Sequence, residues 1–439
     1  MPDRTALLFP SQGSYLPEVL RPLAAAHPAV GDVLTAVDHA ATQYGCAPVT
    51  PVLLQPRAPS LEELLDRDPE TLQLAIFATS LAVHTVITEV HGVQADVLVG
   101  HSMGEVTALV AAGVYTVGDG AGIICLRSRA MRDHGGSGSQ VAVGLSAERT
   151  AHLLGVLALD DLQIAAVNGP RQTVVSGTDD SVDLLSDAAS AIGVAQARVP
   201  WPYLSHNHLM AAAAQELGES VALIPASPLH GRIYSPVYGR FLRDEDDFPQ
   251  LIAGHLTRTV DFLGAVRWLH ARGCDTFVEG GAGRVLTNFV HEATGLAHTV
   301  ALLDQPVDLT GFEAAASTLP GFRPDSAAAT SPLTAAPEPG ADDLEPARAA
   351  TGPTALPEWD ELLAELRRMY AEETEAPEDL IEFDMDLESE LGVDSLTQLS
   401  LFARAARRYG RAEPPKSLRI TDYSTLADLA DLLRRMDAA

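Results

Sequence analysis

Apolar residues fall along this chain in two alternating rhythms. Short runs, ALLF at 6–9 and DVLVG at 96–100, have the length of buried strands. Stretches with helical spacing follow such runs, EVTALVAAGVY after the second among them. Strands alternating with helices predict an α/β unit with a mostly parallel sheet. Between about 138 and 201 the rhythm tightens into QVAVGL, a helix over 147–157, QIAAVN, QTVVSG, a helix over 180–192, and AQARVP. That β-α-β-β-α-β order predicts a ferredoxin-like subdomain inserted into the larger unit.

The pattern stops near residue 323. From 324 to 356 the chain is rich in Ala and Pro and almost without large apolar residues. Such a segment cannot bury enough surface to offset its ordering entropy, and it is expected to be a flexible linker. Helical periodicity resumes at 357–439. LPEWDELLAELRRMYAEE puts Trp359, Leu362, Leu363, Leu366 and Tyr370 on one stripe, with Pro357 placed to open the helix. DSLTQLSLFARAARRYG has Asp394 as its N-cap and stops at Gly410, and DYSTLADLADLLRRM gives a last helix. A small all-α helical bundle is the expected second domain.

Charge adds a second division. The 439 residues carry a formal charge of −30. Residues 1–323 hold 34 acidic and 18 basic side chains, whereas 324–439 hold 25 and 11, so charge density in the tail is more than doubled. A surface this negative repels a phosphate backbone, and nucleic-acid binding is not expected. Three cysteines, Cys46, Cys125 and Cys274, are far apart in sequence and lack zinc-type spacing. They predict a reducing compartment, no disulfide framework and no metal site. No 18-residue run is uninterrupted by polar residues, and ALLF is too short for a signal h-region. Cytoplasmic localisation without a membrane partner is expected.

The sharpest chemical signal is Gly100-His101-Ser102-Met103-Gly104, between a strand and a helix. That context is what a G-x-S-x-G nucleophile elbow needs. Small residues flanking Ser102 permit a sharp turn, and the helix start offers free N–H groups and a positive dipole end. A serine nucleophile also needs a base. His206 and His208, in Trp201-Pro202-Tyr203-Leu204-Ser205-His206-Asn207-His208, both lie where the inserted subdomain rejoins the main sheet. The residues themselves do not rank the two.

Residues 5–310 resemble the malonyl-type acyltransferases of fatty-acid and polyketide synthesis. The blocks that carry the likeness are FPSQGS at 9–14, TLQLAIFATSLAV with Gln73, GHSMGE at 100–105, CLRSRAM with Arg127, AAVNGPRQTVVSG at 165–177, YLSHNHLM at 203–210 and TFVEGGAGRVLT at 276–287. The resemblance implies an α/β-hydrolase-like acyltransferase domain over 1–323. It implies that Ser102 forms the acyl ester and His206 moves the proton. The N–H groups of Gln12 and Met103 would form the oxyanion hole. Arg127 would grip the free carboxylate of a malonyl unit as a bidentate fork. Gln73, His101, Asn168, Tyr203 and Ser205 would line the pocket. Ser11 replaces the family's usual glycine, and His255 falls where an amide is usual, leaving open what orients His206. Tyr203-Leu204-Ser205-His206 is similar to the form in methylmalonyl-selecting members, since serine leaves room for an α-substituent.

In the tail, Glu390-Leu391-Gly392-Val393-Asp394-Ser395-Leu396 resembles the attachment site of acyl carrier proteins, with 4'-phosphopantetheine on Ser395. The expected reaction moves a malonyl or α-substituted malonyl group from a coenzyme A thioester through Ser102 to a carrier thiol, in the same chain or in trans. A linker of this length has an r.m.s. span of about 30 Å. The resemblance further implies a separate ketosynthase and a phosphopantetheinyl transferase as partners. An editing thioester hydrolase and a non-catalytic carrier scaffold are the competing readings.

Overall fold

The computed structural model describes residues 4–134, 138–304, 309–324, 357, 359–374, 381, 383, 385, 387, 401, 402, 405, 406, 408, 409, 411 and 425–435. The chain divides into two units, 1–332 and 333–439. The expected linker at 324–356, beyond its first residue, and Ser395 with its neighbours lie outside the described residues.

Unit 1 begins with β1 (Arg4–Phe9), in which Ala6 to Phe9 are almost wholly buried. Helices α1 (Pro28–Gln43) and α2 (Pro69–Thr85) follow. Asp68 caps α2 through its carboxylate to the Thr71 N–H, and Pro69 occupies the first turn, where a missing N–H costs nothing. Every residue from Thr71 to Val83 is buried, so α2 is apolar on all sides because the domain packs around it. The stretch Pro69–Val90 is long and apolar enough to cross a bilayer, yet 83% of its apolar window is buried inside the unit. It is the central core helix.

β2 (Val97–Gly100), α3 (Gly104–Ala111) and α4 (Val117–His134) come next. Then the inserted subdomain runs β3 (Gly138–Val143), α5 (Ala147–Leu157), β4 (Gln163–Gly169), β5 (Gln172–Thr178), α6 (Asp179–Ala191) and β6 (Gln196–Arg198). Strand alternation gives this sheet two destinies. Val141, Val143 and Val175 join Val182 and Leu185 of α6 in the subdomain's own core. Gln140, Ala142, Ala166 and Val174 face a cavity on the other side.

The chain returns through α7 (Phe248–Gly254), β7 (Val260–Asp261), α8 (Phe262–His270), β8 (Cys274–Ala282), α9 (Val285–Thr294) and β9 (His298–Leu303). The main sheet has the order β9-β8-β1-β2, all parallel. The subdomain sheet has the order β6-β3-β5-β4-β7. β7 pairs parallel with β4, tying the insert to the main body. Cys46 and Cys125, distant in sequence, line the same surface cavity.

In the second unit, α10 (Trp359–Thr374) packs its Leu362, Leu366 and Tyr370 with Leu426, Leu429 and Leu433 of α11 (Leu426–Arg435). Leu401, Phe402, Ala405 and Ala406 join that core, as do Ile381, Leu387 and Tyr409. The stripe expected on the first tail helix is thus its buried face, except that Trp359 is only partly buried.

Candidate functional site

The turn between β2 and α3 exists because two of its residues lack side chains. A Cβ on Gly100 would lie 2.1 Å from the Glu105 nitrogen, and one on Gly104 2.0 Å from the Phe9 carbonyl oxygen. Between them Ser102 has φ +53°, a left-handed backbone that serine rarely adopts. The strain aims its hydroxyl out of the turn towards the inserted subdomain.

His206 also has a positive φ, +55°. Its backbone is pinned from both sides: the Ser176 hydroxyl donates to the His206 carbonyl at 3.3 Å, and the Asn207 N–H to the Leu256 carbonyl at 3.0 Å. The Asn207 side chain donates to the Asp161 and Ser176 carbonyls at 2.9 and 3.1 Å. So held, His206 Nε2 lies 2.7 Å from Ser102 Oγ, and Nδ1 lies 2.9 Å from the carbonyl oxygen of Arg258. A carbonyl can only accept, so Nδ1 carries the proton and Nε2 accepts from the serine. Burial, reinforced by the charge of Arg127, pushes His206 down to about 3, which keeps it neutral and able to take a proton. His208, by contrast, is exposed and bonded to Gln163.

His255 makes no hydrogen bond to His206. It is wholly buried, 3.1 Å from the Glu105 carboxylate, which also accepts from Ser235 at 2.7 Å. The backbone carbonyl three residues later takes the orienting place. No side-chain pattern marks a backbone carbonyl, which is why the sequence left the point open.

A cavity of about 290 Å³ opens over the pair. Ser102, His206, Gln12, His101, Asn168 and Ser205 line it, as the sequence predicts. One wall is a polar chain: His101 donates from Nε2 to Asn168 at 2.8 Å, Asn168 donates to Gln172 at 2.8 Å, and Ser11 reaches His101 Nδ1 at 3.3 Å. Burial holds His101 below the usual imidazole range, so it stays neutral in this chain. Gln140 and Gln172 also line the cavity, and the sequence reading missed both. Their signal was a polar side chain in the alternation of strands that otherwise bury valines.

Four predicted residues stand outside that lining. Met103 is buried at the start of α3, where only its N–H could serve the site. Tyr203 is turned away: its ring packs edge-on against Trp201 and its hydroxyl reaches Glu70 at 3.4 Å. Its expected place in the pocket is therefore corrected. Arg127 and Gln73 lie deeper, both fully buried. Arg127 Nη1 donates to Gln73 Oε1 at 2.9 Å, while its Nε and Nη2 and the Gln73 amide nitrogen have no partner among the described residues. Burial brings the guanidinium down to about 10, still fully charged at neutral pH. A buried cation with two idle donors, and no carboxylate in salt-bridge reach among the described residues, has the chemistry to take an anion. Among the described residues no cluster of His, Cys, Asp and Glu could hold a metal.

Comparison with known proteins agrees with this geometry. The acyl transferase domain family matches residues 8–301, and the phosphopantetheine attachment site family matches 364–433. A polyketide synthase from Streptomyces halstedii, GfsA, is 33% identical over 314 residues, covering 70% of this chain. The chain spans only 4% of that relative's length, and 8% and 5% of two sister synthases, GfsE and GfsB. The crystal structure of a malonyl-CoA:acyl carrier protein transacylase from Xanthomonas oryzae superposes with a TM-score of 0.65 at 27% identity, covering 73% of this chain and 99% of that one. The acyltransferase domain of module 8 of the salinomycin polyketide synthase gives 0.63 at 29% identity, covering 72% of this chain and 76% of that one. The chain belongs to the acyl transferase domain family and carries a second domain of the phosphopantetheine attachment family.

Proposed function

We propose that residues 1–323 are an acyltransferase domain that takes a malonyl-type group from a coenzyme A thioester onto Ser102 and passes it to a carrier thiol. The observation that carries this reading is the 2.7 Å Ser102–His206 pair with the buried Arg127, whose Nε and Nη2 are idle among the described residues, acting on the same histidine.

His206 Nε2 takes the Ser102 hydroxyl proton as Oγ attacks the thioester carbonyl. The Arg258 carbonyl steadies the imidazolium through Nδ1–H. The N–H groups of Gln12 and Met103 receive the charge that develops on the carbonyl oxygen. His206 returns the proton to the departing coenzyme A sulfur as the C–S bond breaks, leaving an ester on Ser102. In the second half His206 takes the proton of the incoming thiol and gives it to Ser102 Oγ as the ester bond breaks. Arg127 holds the distal carboxylate throughout, which selects malonyl-type units over acetyl.

Residues 357–439 would be the carrier domain, joined by a linker over 324–356. The phosphopantetheine attachment family carries 4'-phosphopantetheine covalently, and that group supplies a thiol on a long arm. Ser395 is the residue proposed to bear it, after installation by a phosphopantetheinyl transferase. With a linker span of about 30 Å, the carrier of the same chain is a ready acceptor. A separate ketosynthase would use the product in a polyketide-type pathway in the cytoplasm.

Intact mass spectrometry of the holo protein with malonyl-CoA tests this. Acyl loading that needs both Ser102 and Ser395 supports transfer. Loading that survives Ser102→Ala means self-loading of the carrier and refutes it, and release of free malonate without loading favours an editing hydrolase.

A further inference from the structure

β3 alternates between two environments, and position 140 breaks the rule for its side. Val141 and Val143 point into the subdomain core, while Gln140 and Ala142 face the cavity. A cavity-facing residue beside Ala142, Ala166 and Val174 would ordinarily be apolar, because an amide there must give up its water. Gln140 is 7% exposed, and its Nε2 donates to the hydroxyl oxygen of Ser205 at 2.9 Å. Ser205 is itself 3% exposed, directly precedes His206 and lines the same cavity. Among the described residues this bond uses one group of each side chain and leaves one of each idle. Gln140 Oε1 receives no hydrogen bond, and the Ser205 O–H, whose oxygen already accepts, donates to nothing.

We propose that Gln140 and Ser205 form a subsite for a hydroxyl group on the α-carbon of the acyl unit, making α-hydroxymalonyl the preferred substrate. The inference rests on the acyltransferase reading above and narrows its substrate class. A hydroxyl answers both idle groups: it donates to Gln140 Oε1 and accepts from Ser205 O–H. A methyl or ethyl branch would fit the space but strand both groups away from water. A methoxy group accepts but cannot donate. A protonated amine matches neither the serine donor nor the field of Arg127, whose positive charge reaches the adjoining His206. Sites that hydrogen-bond a substrate hydroxyl reject the analogue without it far more strongly than apolar pockets reject an extra methylene.

The test is a competition at Ser102. Holo protein is offered equimolar malonyl-, methylmalonyl-, α-hydroxymalonyl- and methoxymalonyl-coenzyme A, and loaded species are counted by intact mass spectrometry. Wild type is expected to favour hydroxymalonyl over methylmalonyl at least tenfold, and Gln140→Leu and Ser205→Ala, each checked for folding by its melting curve, to lower that ratio tenfold or more. Methylmalonyl loaded as well as hydroxymalonyl, or a ratio unmoved by both variants, overturns the subsite while leaving the acyltransferase reading intact. Absence of Ser102-dependent loading from any of the four would sink that reading, and the subsite with it.

Discussion

Removing the Arg127 guanidinium should have two opposite effects, one on activity and one on stability. The side chain is wholly buried and, among the described residues, makes one hydrogen bond, to Gln73, and leaves Nε and Nη2 unpartnered. If those donors meet the malonyl carboxylate, Arg127→Met forfeits two charge-assisted hydrogen bonds at about 1.5–3 kcal/mol each. The expected loss in kcat/KM for malonyl-CoA is about 10² to 10⁴. Acetyl-CoA, which has no carboxylate, should lose little. The folded unit should meanwhile melt higher, because an uncompensated buried charge gives way to a methionine of similar length. The acid limb of the rate profile should also move. The Arg127 charge helps to depress His206, so its removal raises the pKa of that imidazole and carries the limb to higher pH. Coupled assay of thiol release with malonyl- and acetyl-CoA between pH 3 and 8, with calorimetry on both proteins, measures all three. An unchanged malonyl-to-acetyl ratio would refute the carboxylate assignment.

Two further outcomes follow from backbone and burial. Gly104→Ala should unfold or severely weaken unit 1, since its Cβ would lie 2.0 Å from the Phe9 carbonyl oxygen, and a melting curve like wild type would contradict the elbow geometry. Stability should fall as pH drops from about 6.5 towards 4: burial pushes His84 to about 4 and, with the Arg127 charge, His206 to about 3, so the unfolded chain takes protons that the folded one refuses. At pH 5 each of these two imidazoles removes about 2 kcal/mol, while Glu279, pushed up to about 7 by burial, works in the opposite sense between about pH 7 and 4.5. Urea unfolding at pH 7 and pH 5 checks the sign, and equal or greater stability at pH 5 would contradict it.

What the sequence showed and what it concealed divide along physical lines. The elbow was legible because glycine, serine and glycine between an apolar strand and a helix answer a steric demand that few other residues meet. The inserted subdomain was legible to within a residue or two, its first helix at Ala147–Leu157 and its second at Asp179–Ala191, because alternation and helical spacing are both strong there. The acyltransferase resemblance is borne out by the family match. The Arg258 carbonyl was hidden because any residue supplies a carbonyl. Tyr203 was misplaced because its chain neighbours face the cavity, whereas pairing with Trp201 and Glu70 draws it outward. Gln140 was passed over because only the folded sheet shows which side of β3 meets Ser205. The Glu105–His255 pair joins residues 150 positions apart, a distance across which no local pattern speaks.

The central claim is that Ser102, deprotonated by His206, carries the acyl group between donor and carrier. It is tested most directly by mixing apo protein, which lacks the carrier arm, with malonyl-CoA, quenching in acid and mapping the peptides by mass. The account predicts a malonyl ester on the peptide containing Ser102, absent in Ser102→Ala and strongly reduced in His206→Ala. An unmodified Ser102 peptide under conditions where the holo protein loads its carrier would contradict it.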